Sequence, residues 1–231
     1  MAKPIAVQLY SLRDQNEKDF YGVLKFLADT GYKGVEYAGY YDKCPKEIAK
    51  VVADLGLVSA SSHVGLATPE TVNELVDTAK ALGLTHLVSG FGPDDMKTVD
   101  QVKACAEKFQ TSAELLKPHG ITFSFHNHWW EFKAVEDGRI PYDIIMEEAP
   151  DACSELDLYW VAFGGGNAVE VIKKYSSRLK LIHVKDGLIG GEYNFKPAGK
   201  GDVDLASAIN AVDPAVTEWM IVEQDASEGD M

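Results

Sequence analysis

Short apolar stretches with strand character alternate with amphipathic stretches of helical spacing along the whole of this 231-residue sequence, and nothing else in it restricts the fold as much. Residues 5–9 read as a first strand. In residues 17–28, Phe20, Val23, Leu24 and Leu27 recur at the spacing of one helix face. A second strand ends near Glu36, followed by a helix over residues 45–55 that opens on Pro45, a favoured first-turn residue. A third strand ends at His63, and the helix begun at Thr68-Pro69-Glu70 runs through Ala81 to a stop at Leu82-Gly83. THLVSGFG is a fourth strand. The long helix over residues 100–116 is stopped by Pro118 and Gly120, and a fifth strand starts at Ile121. YDIIMEEA is a helix, ACSELDLYW a sixth strand, residues 168–175 a helix and LKLIHVKD a seventh strand. A long loop over residues 187–203 leads to a short helix over residues 205–212 and an eighth strand over residues 218–223.

Strands joined by helical crossovers run parallel. Eight of them in a chain of this length predict one α/β domain spanning residues 1–231, a (β/α)8 barrel. One helix is missing from the count, since only ASEGDM follows Asp225. Either the given chain stops short of that helix, or another copy of the chain, in a homo-oligomer, covers the bare outer face of the first and last strands.

A hydrophobic content of 46% and a charged content of 25% fit a folded globular chain. The net charge of −14 argues against a nucleic-acid partner, because a phosphate backbone would be repelled. Cys44, Cys105 and Cys153 show no paired or metal-finger spacing, which suits a reducing compartment. The N-terminal apolar run is too short and polar for a signal peptide, and no stretch approaches the roughly 18–20 apolar residues of a membrane helix. A cytoplasmic protein without a membrane partner is expected.

The chemistry gathers where strands end, and a parallel barrel presents its reactive groups at that rim. ITFSFHNHWWEF places His126 and His128 on one strand face, with Asn127 on the other and Glu131 beyond the strand end. Asp157 follows Glu155 on the same face and lies nearer the rim, with Tyr159 and Trp160 next to it as a wall for a sugar ring. His183 precedes Lys185 at the next inward position, and Glu223 tips the last strand as a ligand or base. Lys185 is suited to an enolate oxygen or a substrate hydroxyl. Glu36 and His63 are further candidates for substrate contacts. Carboxylates and imidazoles without thiolates suit Mn²⁺, Mg²⁺, Co²⁺ or Zn²⁺. The loop GKGDVD, residues 199–204, is not a phosphate loop, because it lacks the GxxxxGK[ST] pattern.

Taken together, VQLYSLR, SSHVG, FHNHWWEF, ELDLYWV, LIHVKDG, GKGDVD and IVEQD resemble the sugar phosphate isomerase/epimerase superfamily, the xylose isomerase-like TIM barrels. That resemblance implies a divalent metal held by Glu, Asp, His and Glu at the ends of strands five to eight. Asp157, His183 and Glu223 match three of those positions. At the fifth strand the chain has His126 at the tip and Glu131 five residues on, and Glu131 is preferred as ligand because a carboxylate helps neutralise a dication. The implied activity is isomerisation or epimerisation of a sugar, sugar phosphate or polyol, with proton transfer by His128, Glu131 or Glu223 assisted by Lys185. Glu36, His63, His126 and Trp160 would contact the substrate. A lyase or hydratase acting on a keto-sugar, keto-glycoside or keto-inositol, and a non-catalytic sugar-binding barrel, are the alternatives.

Overall fold

The computed structural model describes residues 3–227. β-Branched and small residues fill its eight barrel strands, β1 (Ile5–Gln8), β2 (Gly34–Tyr37), β3 (Val58–His63), β4 (His86–Ser89), β5 (Thr122–His126), β6 (Cys153–Asp157), β7 (Leu179–Val184) and β10 (Trp219–Val222). They close in the order β1-β10-β7-β6-β5-β4-β3-β2, every pair parallel, with Ile5 to Val7 of β1 level with Met220 to Val222 of β10. Parallel pairing requires a crossover outside the sheet. The helices α1 (Arg13–Thr30), α2 (Pro45–Asp54), α3 (Val72–Leu82), α4 (Val99–Leu116), α5 (Pro141–Glu148), α6 (Leu158–Phe163), α7 (Ala168–Tyr175) and α8 (Leu205–Ala211) supply it. The fold is a TIM barrel.

The main apolar core lies between strands and helices, where Phe109, Phe123, Phe125 and Tyr142 pack ring against ring. A second, small cluster of Ala6, Ala60, Val88, Leu181 and Ile221 plugs the lumen. Above this plug the inward residues are polar, so the barrel has an apolar floor and a charged mouth. No helix among the described residues is long and apolar enough to cross a membrane.

Three local expectations change. The sixth strand stops at Asp157 instead of running to Trp160, because the Asp157 carboxylate accepts the Trp160 amide hydrogen at 2.9 Å and starts α6. The loop over residues 187–203 contains an antiparallel hairpin, β8 (Asp186–Leu188) and β9 (Asn194–Lys196), that stands over the mouth. The first helix starts earlier than residue 17 and breaks its helical geometry at Asp19, whose carboxylate caps the Gly22 amide. Among the described residues no helix follows β10. Met220 and Val222 on its outer side are half-buried, and Val222, Val184 and Tyr32 line a groove of about 600 Å³ there.

Candidate metal centre

Side chains two apart on a strand share a face. Thus β5 sends Ser124 and His126 into the lumen, β6 sends Glu155 and Asp157, and β7 sends His183, with Lys185 one step beyond. Strand register sets them level: His126 pairs with Glu155 and Asp157 with His183, while Glu36 is level with Gln8 and Ser61. Glu223 follows β10 directly. Glu36, His126, Glu155, Asp157, His183, Lys185 and Glu223 are all buried.

The result is two overlapping groups of ligand-type atoms. His126, Asp157, His183 and Glu223 form one, and His63, His126, Glu155 and His183 the other. Within each, one nitrogen or oxygen per residue lies within 4.8 Å of all the others. His183 joins the two layers: its Nδ1 is 2.8 Å from Glu223 Oε2 and its Nε2 is 2.7 Å from Glu36 Oε1. Glu36 is itself fixed by Gln8 Nε2 at 2.6 Å and by a short hydrogen bond from the Ser61 hydroxyl. Glu155 Oε2 lies 2.8 Å from His63 Nε2 and 3.0 Å from His126 Nδ1. Lys185 Nζ lies 2.7 Å from Glu223, 3.1 Å from Asp157 and 3.0 Å from Asp225, with the Trp160 ring 5.2 Å away.

A family model described as xylose isomerase-like TIM barrel matches residues 24–230. The chain belongs to that family. A sugar phosphate isomerase/epimerase from Parabacteroides distasonis is 26% identical over 99% of this chain and 88% of its own, with a TM-score of 0.77. An L-ribulose 3-epimerase is 18% identical over 99% of this chain and 83% of its own, with a TM-score of 0.70. A probable 3-DHS dehydratase involved in petrobactin synthesis, from Bacillus anthracis, is 12% identical over 97% of this chain and 94% of its own, with a TM-score of 0.74. At those last two identities the likeness is one of fold. A comparison with curated proteins finds no match.

In this xylose isomerase-like barrel the donor set fits a divalent cation. Glu155 Oε1 is buried without a partner, and Asp157 Oδ2 and His126 Nδ1 are buried with an ion-pair contact, to Lys185 at 3.1 Å and to Glu155 at 3.0 Å respectively. Such atoms are costly to leave unsatisfied, and all three residues belong to the two groups above. Imidazole nitrogens with carboxylate oxygens are the ligands that Mg²⁺, Mn²⁺, Co²⁺ and Zn²⁺ accept. His126, Asp157, His183 and Glu223 are the residues that would hold it.

Burial opposes charge on His183, His63, Glu155, Glu223 and Lys185, and their neighbours decide the outcome. Burial alone would lower His183, but the Glu155, Glu223 and Glu36 carboxylates outweigh it and hold the imidazole well above its ordinary value. His63 is likewise pushed up to about 10, because Glu36 and Glu155 overcome its desolvation. Glu155 and Glu223 would be raised by burial but are held well below the usual carboxylate range, Glu155 by His183 and His63, Glu223 by Lys185 and His183. Lys185 is driven above its ordinary value, with Asp157, Glu223 and Asp225 overcoming its burial. His128 goes the other way, down to about 2, through burial first and then its position beside His126 and Lys185.

Several sequence expectations are redistributed. Glu131 lies in the short turn Trp130–Phe132, fully buried, and turns its Oε2 onto the backbone N–H of His128 at 2.8 Å. It belongs to neither group, so the ligand and proton-transfer roles expected of it do not fit its position, and the fifth strand contributes His126 instead. Burial lifts its carboxyl to about 8. His128 lines the mouth but stacks on Trp130, centroids 4.3 Å apart, as a neutral ring. Glu36 is buried beneath Gln8, Ser61 and His183, away from where a substrate would touch it. His63, His126, Trp160, Lys185 and Glu223 line a cavity of about 430 Å³ together with Tyr193 and Phe195. Glu155, placed by the sequence on the Asp157 face without a role of its own, and Asp225, given none, both join the cluster. Their signal was the strand period, two before Asp157 and two after Glu223.

Proposed function

We propose that this barrel is a metal-dependent isomerase or epimerase acting on a sugar or related polyol. The observation that carries the reading is the convergence of His126, Asp157, His183 and Glu223, from four strands, to within 4.8 Å of one another at the mouth of a sugar-sized cavity. Membership of the family supports it. A dication held there would polarise a carbonyl and its neighbouring hydroxyl and lower the cost of removing the proton between them.

The residues divide the remaining work. Glu223, ionised and at the rim, takes the proton from the carbon next to the carbonyl; its return to the neighbouring carbon on the same face gives isomerisation, and delivery of a proton to the opposite face by protonated His63 gives epimerisation. Lys185 lies 2.7 Å from that carboxylate and offers its ammonium to an oxygen that gains negative charge. His63, protonated through Glu36 and Glu155 and partly open to the cavity, donates a hydrogen bond from the opposite side. His183 keeps Nδ1 toward Glu223 because Glu36 engages its Nε2, the arrangement that orients a ligating imidazole. Trp160 and the hairpin residues Tyr193 and Phe195 supply apolar surface for a ring face and exclude water.

The test is deuterium incorporation. Incubated with Mn²⁺ and a panel of ketoses in D₂O, the protein should exchange the hydrogen next to the carbonyl, and Asp157→Ala should lose both Mn²⁺ binding in calorimetry and exchange. Intact binding of Mn²⁺ by Asp157→Ala, or no exchange with any ketose, would end the proposal. The pairing of a carboxylate base with a protonated imidazole also favours a second reading, elimination of water or an alcohol from a keto-sugar, with His63 protonating the departing oxygen. A product lighter than the substrate would decide for it.

A further inference from the structure

The groups that a phosphate would need at the mouth of this barrel are already occupied by the chain's own carboxylates. The GKGDVD segment bends its amides into a nest of the kind that cradles phosphates. Those amides do not face the cavity. The N–H groups of Gly199 and Gly201 both donate to Asp186 Oδ2, at 2.8 and 2.9 Å, and those of Gly187 and Val203 donate to Asp186 Oδ1, at 2.8 and 3.2 Å. The space is tight as well as filled, since a Cβ at Gly201 would sit 2.2 Å from Asp186 Oδ1. The helix starts nearby are also capped from within. The Asp157 carboxylate takes the Trp160 amide at α6, and the Asp204 carboxylate takes the Ser207 amide at α8.

The cations are committed in the same way. Lys185 is the one lysine or arginine among the described residues lining the cavity, and three carboxylates, Asp157, Glu223 and Asp225, lie within 3.1 Å of its ammonium. Around it negative charge therefore exceeds positive. Arg13 reaches the rim, but its guanidinium donates to the carbonyl oxygens of Tyr10 and Asp225, at 3.0 and 2.9 Å, and lies over the Tyr10 ring. Lys196 lines the outer groove with Val184 and Val222 and is not part of the cavity lining. What faces the cavity beside the polar cluster is aromatic: Trp160, Tyr193 and Phe195 meet at 5.2–6.3 Å between ring centroids.

We infer that the substrate is an uncharged sugar, without a phosphate group, seated with one apolar face against Trp160, Tyr193 and Phe195. This rests on the sugar-isomerase reading above and narrows its substrate class. A dianion at the mouth would meet Glu223 and Asp225, and the two protein cations lining the cavity are both shared among carboxylates, Lys185 with Asp157, Glu223 and Asp225 and protonated His63 with Glu36 and Glu155, whereas hydroxyl groups exchange hydrogen bonds with carboxylates and lose nothing to repulsion.

Tryptophan fluorescence tests it, because Trp129, Trp130 and Trp160 lie at or beside the mouth. The Mn²⁺-loaded protein is titrated with matched pairs, D-fructose against D-fructose 6-phosphate and L-ribulose against its 5-phosphate, and then with inorganic phosphate in competition. The free ketose should bind about tenfold or more tightly than its ester. Inorganic phosphate should not displace it. Asp225→Asn, with one rim charge removed, should narrow the gap by strengthening the ester alone. An ester that binds as tightly as the free sugar, displacement by inorganic phosphate, or no saturable signal from any free ketose would overturn the inference. Deuterium exchange separates this from the parent reading: a protein that exchanges phosphate esters in preference to free ketoses remains an isomerase but refutes the neutral-substrate assignment.

Discussion

Replacing Glu131 by Gln tests where the structure puts the most conspicuous glutamate of the fifth strand segment. Its carboxyl is fully buried, accepts one backbone hydrogen bond from His128 and has a second oxygen without a partner. Desolvation lifts it from the ordinary 4.5 to about 8. The folded state therefore keeps a proton that the unfolded chain releases. The associated stability is complete below pH 4.5 and is lost as the pH rises to about 8, after which the slope vanishes. A shift of that size corresponds to roughly 5 kcal/mol across the window. Glutamine is neutral throughout, so the variant should lack this loss. Urea unfolding followed by tryptophan fluorescence at intervals from pH ~4.5 to ~8.5 should show the variant gaining on the parent by a few kcal/mol as pH rises. A stability difference independent of pH would refute the burial argument. Loss of Mn²⁺ binding in Glu131→Gln would refute the placement itself, since the carboxylate accepts the backbone N–H of His128 and lies outside the donor groups.

Trp160→Ala removes the ring that faces Lys185 and Tyr193, and should raise KM for a ketose by roughly tenfold with a smaller change in kcat, read from steady-state kinetics. Gly201→Ala forces a methyl group to within 2.2 Å of Asp186 Oδ1, and should cost about 1–3 kcal/mol and expose residues 187–203 to limited proteolysis. Binding of Mn²⁺ should release protons, because His183 is held protonated by its carboxylate neighbours and a ligating imidazole must be neutral. Calorimetry in buffers of different ionisation enthalpy measures this, and buffer-independent heats would contradict it.

The barrel was legible because its cause is local and repeated. Apolar strands and one-sided helices alternate often enough that only a closed parallel sheet satisfies them, and the rim residues Asp157, His183 and Glu223 follow from where strands end. Position inside the site was less legible. Glu131 reads as a ligand by charge and distance along the chain, yet the turn Trp130–Phe132 curls it back beneath His128. Tyr159 and Trp160 read as strand residues until the Asp157 side chain, two functions in one carboxylate, ends the strand by capping a helix. The hairpin within residues 187–203 was hidden because its organiser is Asp186 acting across a gap of up to seventeen residues, on Val203, and no periodicity records that.

The ladder between β1 and β10 joins the first and last strands among the described residues. Glu223 sits immediately after that ladder, whereas its companions His126, Asp157 and His183 come from the middle of the sequence. A nascent chain can therefore hold most of the donors in place and still lack the fourth until its final strand docks. With a metal held as proposed, ion uptake would be a seal on completed assembly, and the protein would gain its chemistry only at the moment it stops being an open sheet.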